Sequence, residues 1–197
     1  MKVDKSKEYE MLRTEMMEYY KAITQYGTIL YTAVATILVF ALQKDAFYLC
    51  LVPYIVILPL FLLSEAKSRG ICKIAAYMYV FLEGEDYFWE TRHHVIDKEK
   101  TNKRGSVIPY FYLAPACSAC AIYKIMIIPR TVPELIFKIG FVVLVTVVTL
   151  IIMAKNKVNY VSVKDSFIEE WENLKKAEEA KAEEQNQEGK KGESQKH

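Results

Sequence analysis

Charge is missing from four long stretches of this chain, and that absence says more than any motif. No Asp, Glu, Lys or Arg occurs in the 22 residues between Lys21 and Lys44, or in the 19 between Asp45 and Glu65. Another 19 uncharged residues separate Arg104 from Lys124, and 16 separate Lys138 from Lys155. A soluble helical protein spreads charge along every helix, because each helix keeps a wet face. These windows exclude that arrangement. A helix rises about 1.5 Å per residue, so roughly 20 residues cross the hydrocarbon core of a bilayer. The fourth window reaches that length if Leu135, Ile136 and Phe137 join it and Lys138 snorkels its amine to the headgroups.

Other scarcities narrow the function. Only three histidines are present, two of them adjacent (His93 and His94) and the third at the C-terminus. No third ligand is spaced to complete a metal site with the pair. Four cysteines point to free thiols rather than a disulfide framework. Gly-rich phosphate loops, Ser/His/Asp arrangements and paired carboxylates within the apolar windows are all missing. The lack of acids there argues against a proton- or ion-coupled pump. A net charge of +2 carries no message about nucleic acid. These absences predict a chain that is not an enzyme and needs no cofactor. A membrane-embedded enzyme would have to draw on Glu83, Glu85, Asp86, His93 and His94.

What is present is a sharp segregation of basic residues. The N-terminal segment holds Lys2, Lys5, Lys7, Arg13 and Lys21. The loop from 65 to 104 holds eight Lys or Arg, and nine more follow from Lys155 onward. The connections near 44 and near 125–134 are poor by comparison. Three basic segments on one side require an even number of spans, with both termini and the central loop in the cytoplasm. No cleavable signal is apparent, since 21 residues rich in both charge signs precede the first apolar run.

The expected fold is therefore an all-α integral membrane protein with four transmembrane helices, seated in a bacterial inner membrane. Its parts are an N-terminal amphipathic helix (1–21), a first span (22–43), a second span (46–64) and a cytoplasmic helix and loop (65–104). A third span (106–128), a fourth (133–154), a cytoplasmic helix (155–184) and a disordered tail (185–197) complete it. Apolar stripes at steps of three or four mark the flanks: Tyr9, Leu12, Met16 and Tyr19; Ile71, Ile74, Met78 and Phe81; Val163, Phe167, Trp171 and Leu174. No Pro or Gly separates the first or third stripe from its adjoining span. Those spans are expected to run on as unbroken helices whose stripes, through Leu12, Met16, Ile74, Met78, Phe167 and Trp171, pack as a small cytoplasmic bundle. The alternative is helices lying flat on the membrane, which favour a basic polar face. Here Glu is as frequent as Lys.

Within the spans three features stand out. All six prolines lie in or beside the middle pair, and Pro53, Pro59 and Pro115 are expected to kink them. The third span carries Ala114, Ala116, Cys117, Ser118, Ala119, Cys120 and Ala121, small residues that let helix backbones approach closely. Close packing through Ala114, Ala116, Cys117, Ala119 and Cys120 explains them better than a redox or metal role for Cys117-x-x-Cys120. Gln25, Thr28, Thr32 and Thr36 form a polar stripe on the first span that would face a bundle interior or line a narrow pore.

The runs YEMLRTEM before the first span and YMYVFLEGEDYFWE after the second resemble small uncharacterised bacterial multi-span membrane proteins. The layout is similar to membrane accessories found beside antiviral systems, RNA-targeting CRISPR loci included. The resemblance supplies no catalytic motif. It implies a non-enzymatic, oligomeric effector that forms or gates a permeation path or perturbs the membrane. Its partners would be the bilayer, further copies of itself and a cytoplasmic protein. The competing expectation is a membrane anchor or scaffold whose cytoplasmic helices recruit that protein.

Overall fold

The computed structural model describes residues 5–44, 46–83, 90, 92, 108–127 and 131–194. Helix α1 spans Lys5–Gln43 and is followed by a short 3-10 turn, Phe47–Leu51. Helix α2 spans Tyr54–Tyr77 and continues as a π turn, Met78–Leu82. Then come α3 (Ile108–Ile127), α4 (Val132–Asn156) and α5 (Tyr160–Ser194). Among the described residues no strand occurs.

Four helical stretches are long and apolar enough to cross a membrane: Lys5–Gln43, Phe47–Leu82, Pro109–Ile127 and Val132–Glu184. At most a third of any of their apolar windows is buried inside the protein, and only 11% of the most apolar one. Ile55, Phe137 and Leu144 are 74%, 76% and 60% exposed. Apolar surface left uncovered to this extent is costly in water. Helix α4 forms although it is rich in β-branched Val and Ile, whose helix-propensity penalty is mild. Pro133 sits in the first turn of α4, where its missing N–H is harmless, with Glu134 beside it and Lys155 in the last turn.

Helix α1 is one continuous element, so the expected N-terminal helix and first span are a single rod. Helix α2 likewise runs through Gly70 into the second stripe. The fourth span departs from expectation. Lys157 leaves the helix at φ −60°, ψ 124°, and Lys157, Val158 and Asn159 are not helical. The local cause is competition for backbone groups. The Val158 N–H goes to the Glu65 carboxylate, and the Asn159 carbonyl accepts the Val163 N–H at 2.9 Å to open a new helix. Helix α5 then continues to Ser194, into the segment 185–197 that was expected to be a disordered tail. Ala, Glu, Lys and Gln are strong helix formers, so local propensity favours the continuation.

The prolines divide by place. Pro59 and Pro115 lie inside α2 and α3. Pro53 bends no continuous helix; it stands in the turn before α2, its carbonyl accepting the Val56 and Ile57 N–H groups at 2.9 Å.

The chain forms two compact units. One comprises Thr14–Gly70 and Lys103–Val158; the other comprises Met1–Arg13, Ile71–Asn102 and Asn159–His197. The first unit holds two apolar clusters. Leu30, Val34, Tyr54, Ile57, Phe61, Tyr110, Ala114, Cys117 and Met153 make one, drawing on all four of its helices. Ala41, Cys50, Ala121, Ile125 and Val142 make the other. Close approach of α1 and α2 is possible because position 70 has no side chain. A Cβ there would sit 2.7 Å from Cε2 of Tyr19.

The second unit gathers the ends of three helices. The Tyr77 hydroxyl donates to Glu8 Oε1 at 2.7 Å, joining the start of α1 to the end of α2. Trp171 of α5 meets the Tyr77 and Phe81 rings edge-on, at centroid distances of 5.2 and 6.0 Å. Ile74 and Met78 are buried, while Leu12, Phe167 and Trp171 are half-buried. Met16, grouped with them on periodicity, belongs to the other unit.

Candidate functional site

The polar stripe of α1 is built by helical spacing alone. Each threonine hydroxyl turns back on its own helix. Thr28 donates to the Thr24 carbonyl at 3.3 Å, Thr32 to Thr28 at 2.9 Å, and Thr36 to Thr32 at 2.8 Å. Such back-bonding satisfies a hydroxyl in an apolar setting and bends a helix slightly. The stripe does not face the interior of its own chain, correcting one of the two expected placements: Gln25, Thr28, Thr32 and Thr36 are all exposed. The opposite side of α1, through Leu30, Val34 and Ala41, packs on the other helices, because apolar side chains there match the apolar faces of α2, α3 and α4. Gln25 differs from the threonines. A carboxamide cannot fold back on its helix so readily, and within the described residues it has no hydrogen-bond partner.

The small residues of α3 are split by the helix period. Ala114 and Cys117 are buried and Cys120 half-buried, whereas Ala116 and Ala119 face outward. So Ala114, Cys117 and Cys120 serve packing within the chain, and Ala116 and Ala119 do not. Both cysteines are free thiols.

A polar node that residue patterns alone did not single out lies in the same unit. The Tyr54 hydroxyl donates to the Ala114 carbonyl at 2.7 Å and lies 2.6 Å from Ser118 Oγ and 3.2 Å from Thr146 Oγ1. Thr146 in turn donates to the Val142 carbonyl at 2.8 Å. Thus α2, α3 and α4 are tied by three hydroxyls amid apolar neighbours. Nearby, Tyr110 and Ser64 hydroxyls pair at 2.9 Å. The signal available in the sequence was hydroxyl side chains scattered through every uncharged run, too common a pattern to choose these three.

Three buried charged groups, Lys164, Glu90 and Glu65, were also missed. Lys164 is fully buried and donates to Glu90 Oε2 at 2.8 Å. Glu65 is 4% exposed; burial raises its pKa above the ordinary carboxylate value, opposed by the Val158 N–H, Arg69 and Lys157. Tyr77 is pushed up to about 12, chiefly by burial and then by its bond to the Glu8 carboxylate.

Of the groups considered for catalysis, Glu85, Asp86, His93 and His94 lie outside the described residues. Glu83 accepts the Glu90 backbone N–H, a structural task. Among the described residues no cluster of three or more His, Cys, Asp or Glu side chains is placed to hold a metal ion. No protein-family model matches the chain, no curated protein matches it, and no solved structure matches it.

Proposed function

We propose that this chain is a non-enzymatic membrane effector that spans the bilayer four times, keeps both termini in the cytoplasm, and assembles with copies of itself into or around a permeation path. One observation carries the reading: the Gln25, Thr28, Thr32, Thr36 stripe points away from its own chain. A carboxamide turned toward hydrocarbon is costly without a partner, and a second copy supplies one of the right chemistry. Copies arranged about an axis would place four polar positions per chain along one line. The basic residues flanking the spans favour the stated orientation. A role in antiviral defence rests on the resemblance in layout. The test is dye or ion flux from liposomes carrying purified protein, together with particle mass in detergent. Flux accompanied by an oligomeric mass supports the reading; a monomer that never conducts, with or without a cytoplasmic partner, ends it.

A second reading, an anchor that recruits a soluble protein, is favoured by a separate observation. Residues 172–184 of α5 are exposed throughout and densely charged. Lys175 donates to the Val80 carbonyl at 3.1 Å, and the exposed charged surface of the rest is available to a partner. Replacing the first two spans by an unrelated hairpin distinguishes the readings: an anchor keeps its activity, and a pore loses it.

A further inference from the structure

Three contacts bring one end each of α2, α3 and α4 to the same level. The Ser64 and Tyr110 hydroxyls pair at 2.9 Å, and the Glu65 carboxylate accepts the Val158 N–H. The Lys157 ammonium lies 6.0 Å from the centroid of the Phe111 ring. All of these residues belong to one compact unit. At this level the uncharged windows of α2 and α4 stop and charge begins. Arg69 stands one turn beyond Glu65, roughly 6 Å along the helix axis, and Lys157 adjoins Val158 in the chain. Both cations lie within electrostatic reach of the Glu65 carboxylate.

The charge presented outward here has one sign. Residues 62–70 and 148–158 contain four basic groups, Lys67, Arg69, Lys155 and Lys157, and one acid, Glu65. Arg69, Lys155 and Lys157 are exposed and Lys67 is half-buried, whereas Glu65 is buried. Glu18 and Glu15 stand further along α1, and Glu15 is taken by the Tyr19 hydroxyl. Among the described residues none of the four basic groups forms an ion pair or donates a hydrogen bond. Lys67 rests 4.4 Å from the Tyr19 ring centroid, which lays its apolar stem along the protein and leaves the amine for an outside anion. The opposite end of the same unit differs: Lys124 donates to the Leu42 carbonyl, and Lys138 pairs with Glu134. One or two turns from the unpaired cations, toward the middle of each span, the exposed side chains are apolar. They are Leu62 and Leu63 on α2, and Val148 and Ile151 on α4. Cations beside lipid-like surface fit an amphiphile with an anionic head.

We propose that Arg69 and Lys157 hold the phosphate of an anionic phospholipid where α2 and α4 leave the membrane, with Lys67 and Lys155 adding to the attraction. In the proposed orientation that is the cytoplasmic leaflet. The inference rests on the four-span part of that reading and is independent of assembly and flux. A guanidinium grips two phosphate oxygens at once, and a lysine adds a point charge. In phosphatidylcholine the choline cancels the phosphate charge, so the site discriminates by net charge.

Spin-labelled phosphatidylglycerol and phosphatidylcholine, added in turn to the full chain in phosphatidylcholine vesicles, test this through the fraction of motionally restricted label. Native protein should retain phosphatidylglycerol at least about threefold more strongly. Arg69→Gln with Lys157→Gln should lose most of that preference. Arg69→Lys with Lys157→Arg keeps both charges and should retain it, as should Lys44→Gln at the opposite end. Equal retention of the two lipids by the native chain overturns the proposal. So does an unchanged preference in the double glutamine variant, or a matching loss in Lys44→Gln. Displacement of the label by inorganic phosphate beyond that by chloride at equal ionic strength also overturns it, marking a site for a free anion. The native comparison needs no substitution, so a poorly folding variant leaves the test standing. A chain that never enters the vesicles ends the four-span reading itself, a result distinct from an inserted chain with no lipid preference.

Discussion

Lys164 and Glu90 form an ion pair at 2.8 Å in which the lysine is fully buried and the carboxylate nearly so. Taking both charges out of water costs several kcal/mol per ion, and each tolerates burial because the other is there. Lys164→Met should therefore destabilise the helical unit by about 3–5 kcal/mol, by stranding Glu90. Adding Glu90→Leu should recover most of the loss. Denaturant melts of the three proteins in detergent check it. A single substitution costing no more than a surface pair would show that the ion pair is wet.

Tyr54→Phe keeps the ring in its apolar cluster and deletes one oxygen. That oxygen touches the Ala114 carbonyl, Ser118 and Thr146, so three helices lose a shared bond. Hydrogen bonds between membrane helices are worth about 0.6–1.7 kcal/mol, which sets the expected loss. Unfolding in mixed micelles measures it, and Ser118→Ala in the Tyr54→Phe background should cost a similar further amount, because Ser118 still pairs with Thr146.

Gly70→Ala places a methyl group 2.7 Å from the Tyr19 ring. That ring is held by a 2.8 Å bond from its hydroxyl to Glu15 and by the Lys67 amine 4.4 Å from its centroid. It must break those contacts or push α1 from α2, at about 1–3 kcal/mol. Shortening Tyr19 to Ala in the same background should remove the clash. A thermal melt series on the single and double variants decides the matter.

The stripe on α1 makes an unequal prediction. The threonine hydroxyls already have intrahelical acceptors, so replacing Thr28, Thr32 and Thr36 together by Val should weaken assembly only slightly. Gln25→Leu removes the group without a partner and should weaken self-association by about 1–2 kcal/mol, roughly five- to thirtyfold in the association constant. Förster transfer between labelled chains in vesicles reads both. Equal effects from the two variants would show that the hydroxyls, not the amide, hold the copies together.

Tyr77 makes a prediction about alkaline pH. Its phenol is held neutral by burial and by the Glu8 carboxylate that accepts its proton-bearing bond. The contribution to stability is complete below the ordinary value of 10.0 and is lost as pH rises through about 12. Ultraviolet titration should show one tyrosine ionising near 12 in the native chain and absent in Tyr77→Phe.

How much of this was legible beforehand differs from element to element. The four apolar windows were plain, because crossing a membrane constrains every residue in a run of about 20, whatever lies beside it. The stripes at Ile74, Met78 and Trp171 were plain for a similar reason, since a helix period repeats within a few residues. The break at Lys157–Asn159 was not. It depends on a carboxylate 93 positions earlier taking one N–H, and no local pattern encodes that bond. The outward turn of the α1 stripe was equally hidden, because periodicity shows which residues share a face and not which way the face points.

The amino-acid sequence by itself determined the helical character of the chain and the places of its apolar windows, since backbone hydrogen bonding and local side-chain chemistry act over one or two turns. Tertiary structure alone decided which polar groups would meet: Tyr54 with Ser118 and Thr146, Lys164 with Glu90, Glu65 with Val158. Those bonds join residues 64 to 93 positions apart, and their strength comes from burial that only the assembled helices create.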